Sequence, residues 1–188
     1  MHNYFKIYYF IDQFNLKELS GIKKKINIIF RQYNKKYDLK EILKTKDYCK
    51  KKGYNLFLAN NIRLASRLNL NGVYIPSFNK NINFKNISAG KNFKIIGSAH
   101  NLKELRIKEN QNCSEIFISP LFKTKKNNSF LDVVRFNLIS IKTKKKIVAL
   151  GGINFKTLNR IKMTKSFGIA SISWIKKNGL NKNLGRFN

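Results

Sequence analysis

Ala149-Leu150-Gly151-Gly152-Ile153 is a short apolar run that stops abruptly in two glycines. Upstream lies Ile116-Phe117-Ile118-Ser119-Pro120-Leu121-Phe122-Lys123-Thr124, and downstream Gly168-Ile169-Ala170-Ser171-Ile172-Ser173. Each starts as a β-branched apolar stretch and ends in small or hydroxyl residues. A strand of a parallel sheet is covered on both faces, so it reads as a continuous apolar run rather than an alternating one. Two glycines directly after such a strand let the backbone approach a ligand closely and leave amide N–H groups for an anion. Together the three segments predict a phosphate-binding barrel.

Working outward, the strand candidates are Ile7–Ile11, Ile26–Phe30, Leu56–Leu58, Gly72–Ile75, Phe93–Gly97, Glu115–Ile118, Ile147–Leu150 and Gly168–Ile172. Most precede a helical pattern with its own start signal. Asn15 precedes Leu16, Leu19 and Ile22; Asp38 precedes Leu39, Ile42 and Leu43; Asn101 precedes Leu102 and Leu105. Glu18, Glu41 and Glu104 stand three residues after these caps, as a capping box requires. Asn154 precedes Phe155, Leu158 and Ile161, and Phe130–Ile139 has apolar residues at helical spacing. Strands alternating with helices imply right-handed βαβ units and a parallel sheet. Eight such units predict an α/β chain, a short (β/α)₈ TIM barrel forming a single domain over residues 1–188. The segment from Pro76 to Gly90 has little helical periodicity, and an open doubly wound sheet is the alternative fold. No linker or repeat divides the chain, and residues 181–188 read as a poorly ordered tail.

A hydrophobic fraction of 43% and an aromatic fraction of 13% fit a globular domain with a sizeable core. No run approaches the roughly 18 to 20 apolar residues that a membrane helix needs. The N-terminus lacks the layout of a secretory signal, so a cytoplasmic location is expected. Cys49 and Cys113 show no metal spacing and read as reduced, buried residues. The net charge of +30 makes affinity for polyanions physically expected. Yet only seven of the 39 basic residues are Arg, the side chain that base readout and bidentate phosphate recognition favour. The lysines are spread along the chain, and Lys, Asn, Ile and Phe are the residues of A/T-rich codons. The basicity therefore reads as a solvated background, with a nucleic-acid-associated protein as the lower alternative.

In a barrel the site lies at the C-terminal ends of the strands. That selects Asp12, Arg31, Ala59 to Asn61, Pro76 to Asn79, Ser98 to His100, Ser119 to Thr124, Gly151-Gly152 and Ile172-Ser173. The set is polar, poor in acids and without an evident catalytic pair.

The order of these motifs resembles the thiamine phosphate synthase and TenI family of (β/α)₈ barrels, over roughly Tyr8 to Trp174. Leu56-Phe57-Leu58-Ala59-Asn60-Asn61-Ile62-Arg63-Leu64-Ala65, followed by Gly72-Val73-Tyr74-Ile75, matches the family's third and fourth strands. Ile96-Gly97-Ser98-Ala99-His100 resembles its fifth-strand motif, and Ser119-Pro120-Leu121-Phe122-Lys123-Thr124 its Gly-Pro-[Ile/Val]-Phe-x-Thr loop. Ala149 to Ile153 and Gly168 to Ser173 are similar to its last two strand ends. The resemblance implies coupling of a hydroxymethylpyrimidine diphosphate to a thiazole phosphate, with Mg²⁺ assistance and release of pyrophosphate. It implies that Gly151, Gly152, Ile172, Ser173 and Thr124 hold the thiazole phosphate. Arg31, with Lys125 or Lys126, would handle the pyrophosphate, and Ser98, His100 and Asn60 would contact substrate.

The chain departs from the family in the pyrophosphate half. The Gln-x-Arg-x-Lys after strand two falls on Ile29, Arg31 and Tyr33, so only the arginine remains. The metal-binding carboxylates fall on Asn60 and Asn79, and the loop's second threonine and lysine on Lys126 and Asn127. Mg²⁺ prefers anionic oxygen, which two neutral amides do not supply. A lone histidine such as His100 is more often a hydrogen-bonded structural residue than a catalyst. The catalytic histidine of TenI-type tautomerases falls on Pro120. That proline counts against tautomerase activity by the known route; a TenI-like tautomerase, salvage enzyme or thiazole-phosphate-binding barrel that keeps the phosphate cradle is the second reading, and homo-oligomer formation stays open.

Overall fold

The computed structural model describes residues 5–22, 24–33, 37–83, 90–125 and 128–171. The strands are β1 (Lys6–Ile11), β2 (Asn27–Phe30), β3 (Asn55–Ala59), β4 (Gly72–Ile75), β5 (Lys94–Ala99), β6 (Glu115–Ile118), β7 (Lys146–Leu150) and β8 (Gly168–Ser171). All neighbours pair in parallel, and β8 returns to β1 through Lys6↔Gly168, Ile7↔Ile169, Tyr8↔Ala170 and Tyr9↔Ser171. That pairing closes the barrel and excludes the open sheet. Every strand lies within two residues of its sequence-based position, because each is apolar on both faces. The tail at 181–188 lies outside the described residues.

The helices are α1 (Leu16–Ser20), α2 (Leu39–Lys52), α3 (Ile62–Arg67), α4 (Leu102–Asn110), α5 (Asp132–Ser140) and α6 (Leu158–Ile161). Their brevity is how a barrel fits this chain length. Asn15, Asp38 and Asn101 cap as expected, their side chains accepting from backbone N–H groups of the first turn. The reciprocal halves of two capping boxes are redirected. Glu41 accepts from the Phe14 amide at 2.8 Å, and Glu104 from the His100 amide at 2.8 Å. These carboxylates fasten each helix to a neighbouring segment instead of to its own cap. Asn154 caps no helix; its Oδ1 accepts from Lys156 N in a turn, and α6 starts only at Leu158. Among the described residues no helix joins β4 to β5, and none is long and apolar enough to cross a membrane.

Alternation along the strands makes two cores. Tyr8, Phe10, Ile29, Phe57, Ala59, Tyr74, Ile96, Phe117, Val148 and Ala170 fill the barrel interior. The opposite parity, including Ile7, Tyr9, Ile28, Leu58, Ile116 and Ile169, packs in the layer that contains the buried helix faces. The interior is strongly aromatic, with edge-to-face contacts of 4.8 Å between Tyr8 and Phe117 and 5.2 Å between Phe10 and Tyr74. At the N-terminal rim the buried Glu115 carboxylate accepts from both Lys6 Nζ and the Tyr8 hydroxyl. Burial and the Glu115 charge push the Tyr8 hydroxyl pKa up, so it stays a donor.

Glu115→Ala leaves Tyr8 and Lys6 without their acceptor and should cost about 2–3 kcal/mol in urea unfolding. Cys49 and Cys113 are free and buried, and burial pushes both thiols up to about 12. At pH 8 a thiol reagent should label neither until denaturant is added, as read by mass spectrometry.

Candidate functional site

On one side of the mouth, β6, β7 and β8 bring together the Gly-Gly run and the loop after β6. Gly151 and Gly152 have φ of 92° and 69°, a left-handed conformation that disfavours side chains. They are also crowded. A Cβ on Gly152 would lie 2.5 Å from the Phe122 carbonyl oxygen, and one on Gly151 2.9 Å from Pro120 Cα. The loop after β6 lies directly on this run, Leu121 N donating to Leu150 O at 2.8 Å and Phe122 N to Gly151 O at 3.1 Å. Both glycines are thus demanded by the protein's own packing. Gly152 O accepts from Asn154 Nδ2 and Thr157 Oγ1, each at 3.2 Å, which stiffens the turn. Thr124 follows next after the carbonyls of Phe122 and Lys123 that abut Gly152. Lys125 is exposed on the same loop. Lys126, Ile172 and Ser173 lie outside the described residues.

The facing arc is built from β2, β3 and β4. Arg31 continues the parity of Asn27 and Ile29 beyond β2, and its amide donates to Ile11 O at 2.8 Å. Its guanidinium lies 5.3 Å from the Phe10 ring centre and 5.7 Å from that of Tyr33. None of the ion pairs among the described residues uses Arg31. Tyr33 meets Phe78 edge-to-face at 5.4 Å, joining the loops after β2 and β4. Asn60 takes a left-handed φ of 55°, and its amide donates to Tyr74 O at 2.8 Å.

Asn79 and Asn60 come together, joined by a side-chain hydrogen bond. Asn79 Nδ2 donates to Asn60 Oδ1 at 2.7 Å, while Asn79 Oδ1 accepts from the Asn81 amide at 2.9 Å. The backbone donor fixes which way the Asn79 amide faces, and each of its polar atoms takes one bond within the protein. No anionic oxygen is present at either position. Among the described residues no group of three or more His, Cys, Asp or Glu could hold a metal. This donor set does not fit Mg²⁺.

Between the arcs stands β5. Ser98 is buried and its side chain hydrogen-bonds Tyr74. Burial pushes the Tyr74 hydroxyl up to about 12, against the pull of Ser98 and the Arg31 charge. His100 turns toward α4, its Nδ1 2.9 Å from Glu104 Oε2 and its backbone N–H on the same oxygen. The histidine thereby tethers the helix start through Nδ1, with its side chain 47% exposed.

Sequence reading missed the Tyr33–Phe78 pair, Tyr74 and Lys108. Lys108 has no exposed surface, and its Nζ donates to Pro76 O, Asn79 O and Gln111 Oε1. Burial pushes it down to about 8. The available signal was its position three residues after Leu105, on the buried face of α4.

The family model described as thiamine monophosphate synthase matches residues 20–175. A curated thiamine-phosphate synthase of Prochlorococcus marinus is 36% identical over 116 residues, which cover 59% of this chain and 33% of the relative. The aligned region thus spans only a third of that relative's length. The solved thiamine phosphate pyrophosphorylase from Pyrococcus furiosus superposes with a TM-score of 0.73 at 20% identity, covering 95% of this chain and 90% of that one. The one from Bacteroides thetaiotaomicron gives 0.59 at 17%, covering 95% and 89%. At such identities the two structures show the shared fold.

Gly152→Ala forces a Cβ into the loop after β6. It should weaken inorganic phosphate binding, measured by calorimetry, by about tenfold or more.

Proposed function

The chain belongs to the thiamine monophosphate synthase family, and on that premise we propose that it couples a hydroxymethylpyrimidine diphosphate to a thiazole phosphate. The observation that carries the reading is the division of the mouth. One arc carries the left-handed Gly151–Gly152 turn packed against the loop after β6, and the other presents an arginine that, among the described residues, pairs with no carboxylate.

In this reaction the carbon–oxygen bond to the diphosphate breaks, and pyrophosphate leaves with the electron pair. The thiazole nitrogen then donates its lone pair to the pyrimidine-bearing cation, forming the C–N bond. Such chemistry needs positioning and charge stabilisation more than a general base. Arg31 meets the charge that develops on the leaving pyrophosphate, with Lys125 or Lys126 adding positive charge. Gly151, Gly152, Thr124, Ile172 and Ser173 hold the thiazole phosphate, and Ser98 contacts substrate beside Tyr74. The protein's own cations supply the neutralisation, since Asn60 and Asn79 make no carboxylate cage. Small phosphorylated substrates and a cytoplasmic setting follow from the same reading.

A second reading, a barrel that binds thiazole phosphate without turnover, is favoured by one observation: the amides at 60 and 79 are hydrogen-bonded to each other.

Purified protein given both precursors and Mg²⁺ should form thiamine phosphate, and Arg31→Ala should lower kcat/KM by about a hundredfold. No product at saturating substrates and metal would overturn the synthase reading, and thiazole phosphate binding without product would establish the second one.

A further inference from the structure

A fully buried ammonium is tolerated only when each of its donors finds an acceptor. Lys108 meets that condition in an unusual place. Its Nζ donates to Pro76 O at 2.8 Å, Asn79 O at 2.8 Å and Gln111 Oε1 at 2.9 Å. Gln111, at the end of α4 and also buried, donates from Nε2 to Asn79 O at 2.9 Å and Asn81 O at 2.7 Å. Two side chains from the α4 region thus grip the backbone of residues 76–81, in the one connection that has no helix of its own among the described residues. The stem of Lys108 runs past Gly97 on β5, where a Cβ would come within 2.9 Å of Lys108 Cδ. A glycine in the strand makes the room that the lysine needs to reach the β4 loop.

The loop so held carries Asn79. Its carbonyl takes two of the four bonds to the segment, and its side chain crosses to Asn60 at the end of β3. A continuous path therefore runs from a buried cation through the Asn79 backbone to the amide bridge at the mouth. An apolar side chain would fill the same space without the desolvation cost, so the charge serves the carbonyls it collects.

We propose that Lys108 is a positioning residue for the diphosphate half of the site, its ammonium and Gln111 fixing the β4 loop so that Asn79 bridges to Asn60 on the arc of Arg31. The identity of the ligand rests on the function proposed above; the clamp itself does not.

The test titrates inorganic pyrophosphate into protein already saturated with inorganic phosphate, using wild type, Lys108→Met and Gln111→Leu. Lys108→Met keeps the stem and removes the ammonium. Gln111→Leu removes two of the loop's bonds and one of the three acceptors of Lys108, leaves the ammonium its two carbonyls, and serves if the first variant does not fold. Pyrophosphate affinity should fall about five- to tenfold in the variants, while phosphate affinity at the Gly151–Gly152 loop stays within about twofold. In turnover, KM for the diphosphate should rise while kcat and KM for the thiazole phosphate hold. Folded variants that bind pyrophosphate as wild type does, while hydrogen exchange quickens over residues 77–83, would reduce Lys108 to a structural peg and overturn the proposal. A wild type that binds no pyrophosphate would overturn it too. Clamp-dependent pyrophosphate binding without turnover would uphold the clamp and sink the synthase reading alone.

Discussion

Closure of the barrel is the constraint on which everything else depends. Once β8 pairs with β1, no strand has a free edge, and every residue in a strand is committed either to the cylinder or to the layer outside it. The cylinder must then be filled. Tyr8, Phe10, Phe57, Tyr74 and Phe117 supply most of the bulk, and Ala59 and Ala170 make space for them. A filled cylinder fixes where each strand ends, so the parity that sends Ile29 inward also delivers Arg31 to the mouth. The site is a continuation of the packing rather than an addition to it.

Polar groups inside this frame are held to the same standard. Glu115 is met by Lys6 and Tyr8 at one rim, Ser98 meets Tyr74 near the other, and Lys108 is met by three oxygens. Among the buried side-chain nitrogen and oxygen atoms of the described residues only the Tyr48 hydroxyl lacks a partner. Among the described lysines and arginines only Lys108 is buried, in a chain of formal charge +30. A field of that sign raises the local concentration of small phosphorylated anions, without requiring a nucleic acid to explain it.

The strands were legible because burial on both faces writes itself as an unbroken apolar run, and the caps at Asn15, Asp38 and Asn101 because they are local chemistry. What could not be read was any pairing between distant segments. Glu41 looks like half of a capping box, but its partner Phe14 lies 27 residues away. The amides at Asn60 and Asn79 were visible as departures from a metal-binding pattern, yet their mutual hydrogen bond depends on a left-handed backbone at Asn60 and on a turn at Asn81. Lys108 escaped because a charge in a helix is ordinarily solvated, and only the fold shows carbonyls waiting for it.

The two glycines at the end of β7 are asked for twice, by their backbone handedness and by the loop that rests on them. They would be indispensable in a barrel that had never met a phosphate. Their persistence through evolution would therefore measure the architecture, not the ligand. A descendant that had abandoned its substrate would keep the same anion-ready loop, as a vestige maintained by its neighbours, and selection on catalysis would leave its record at Arg31 instead.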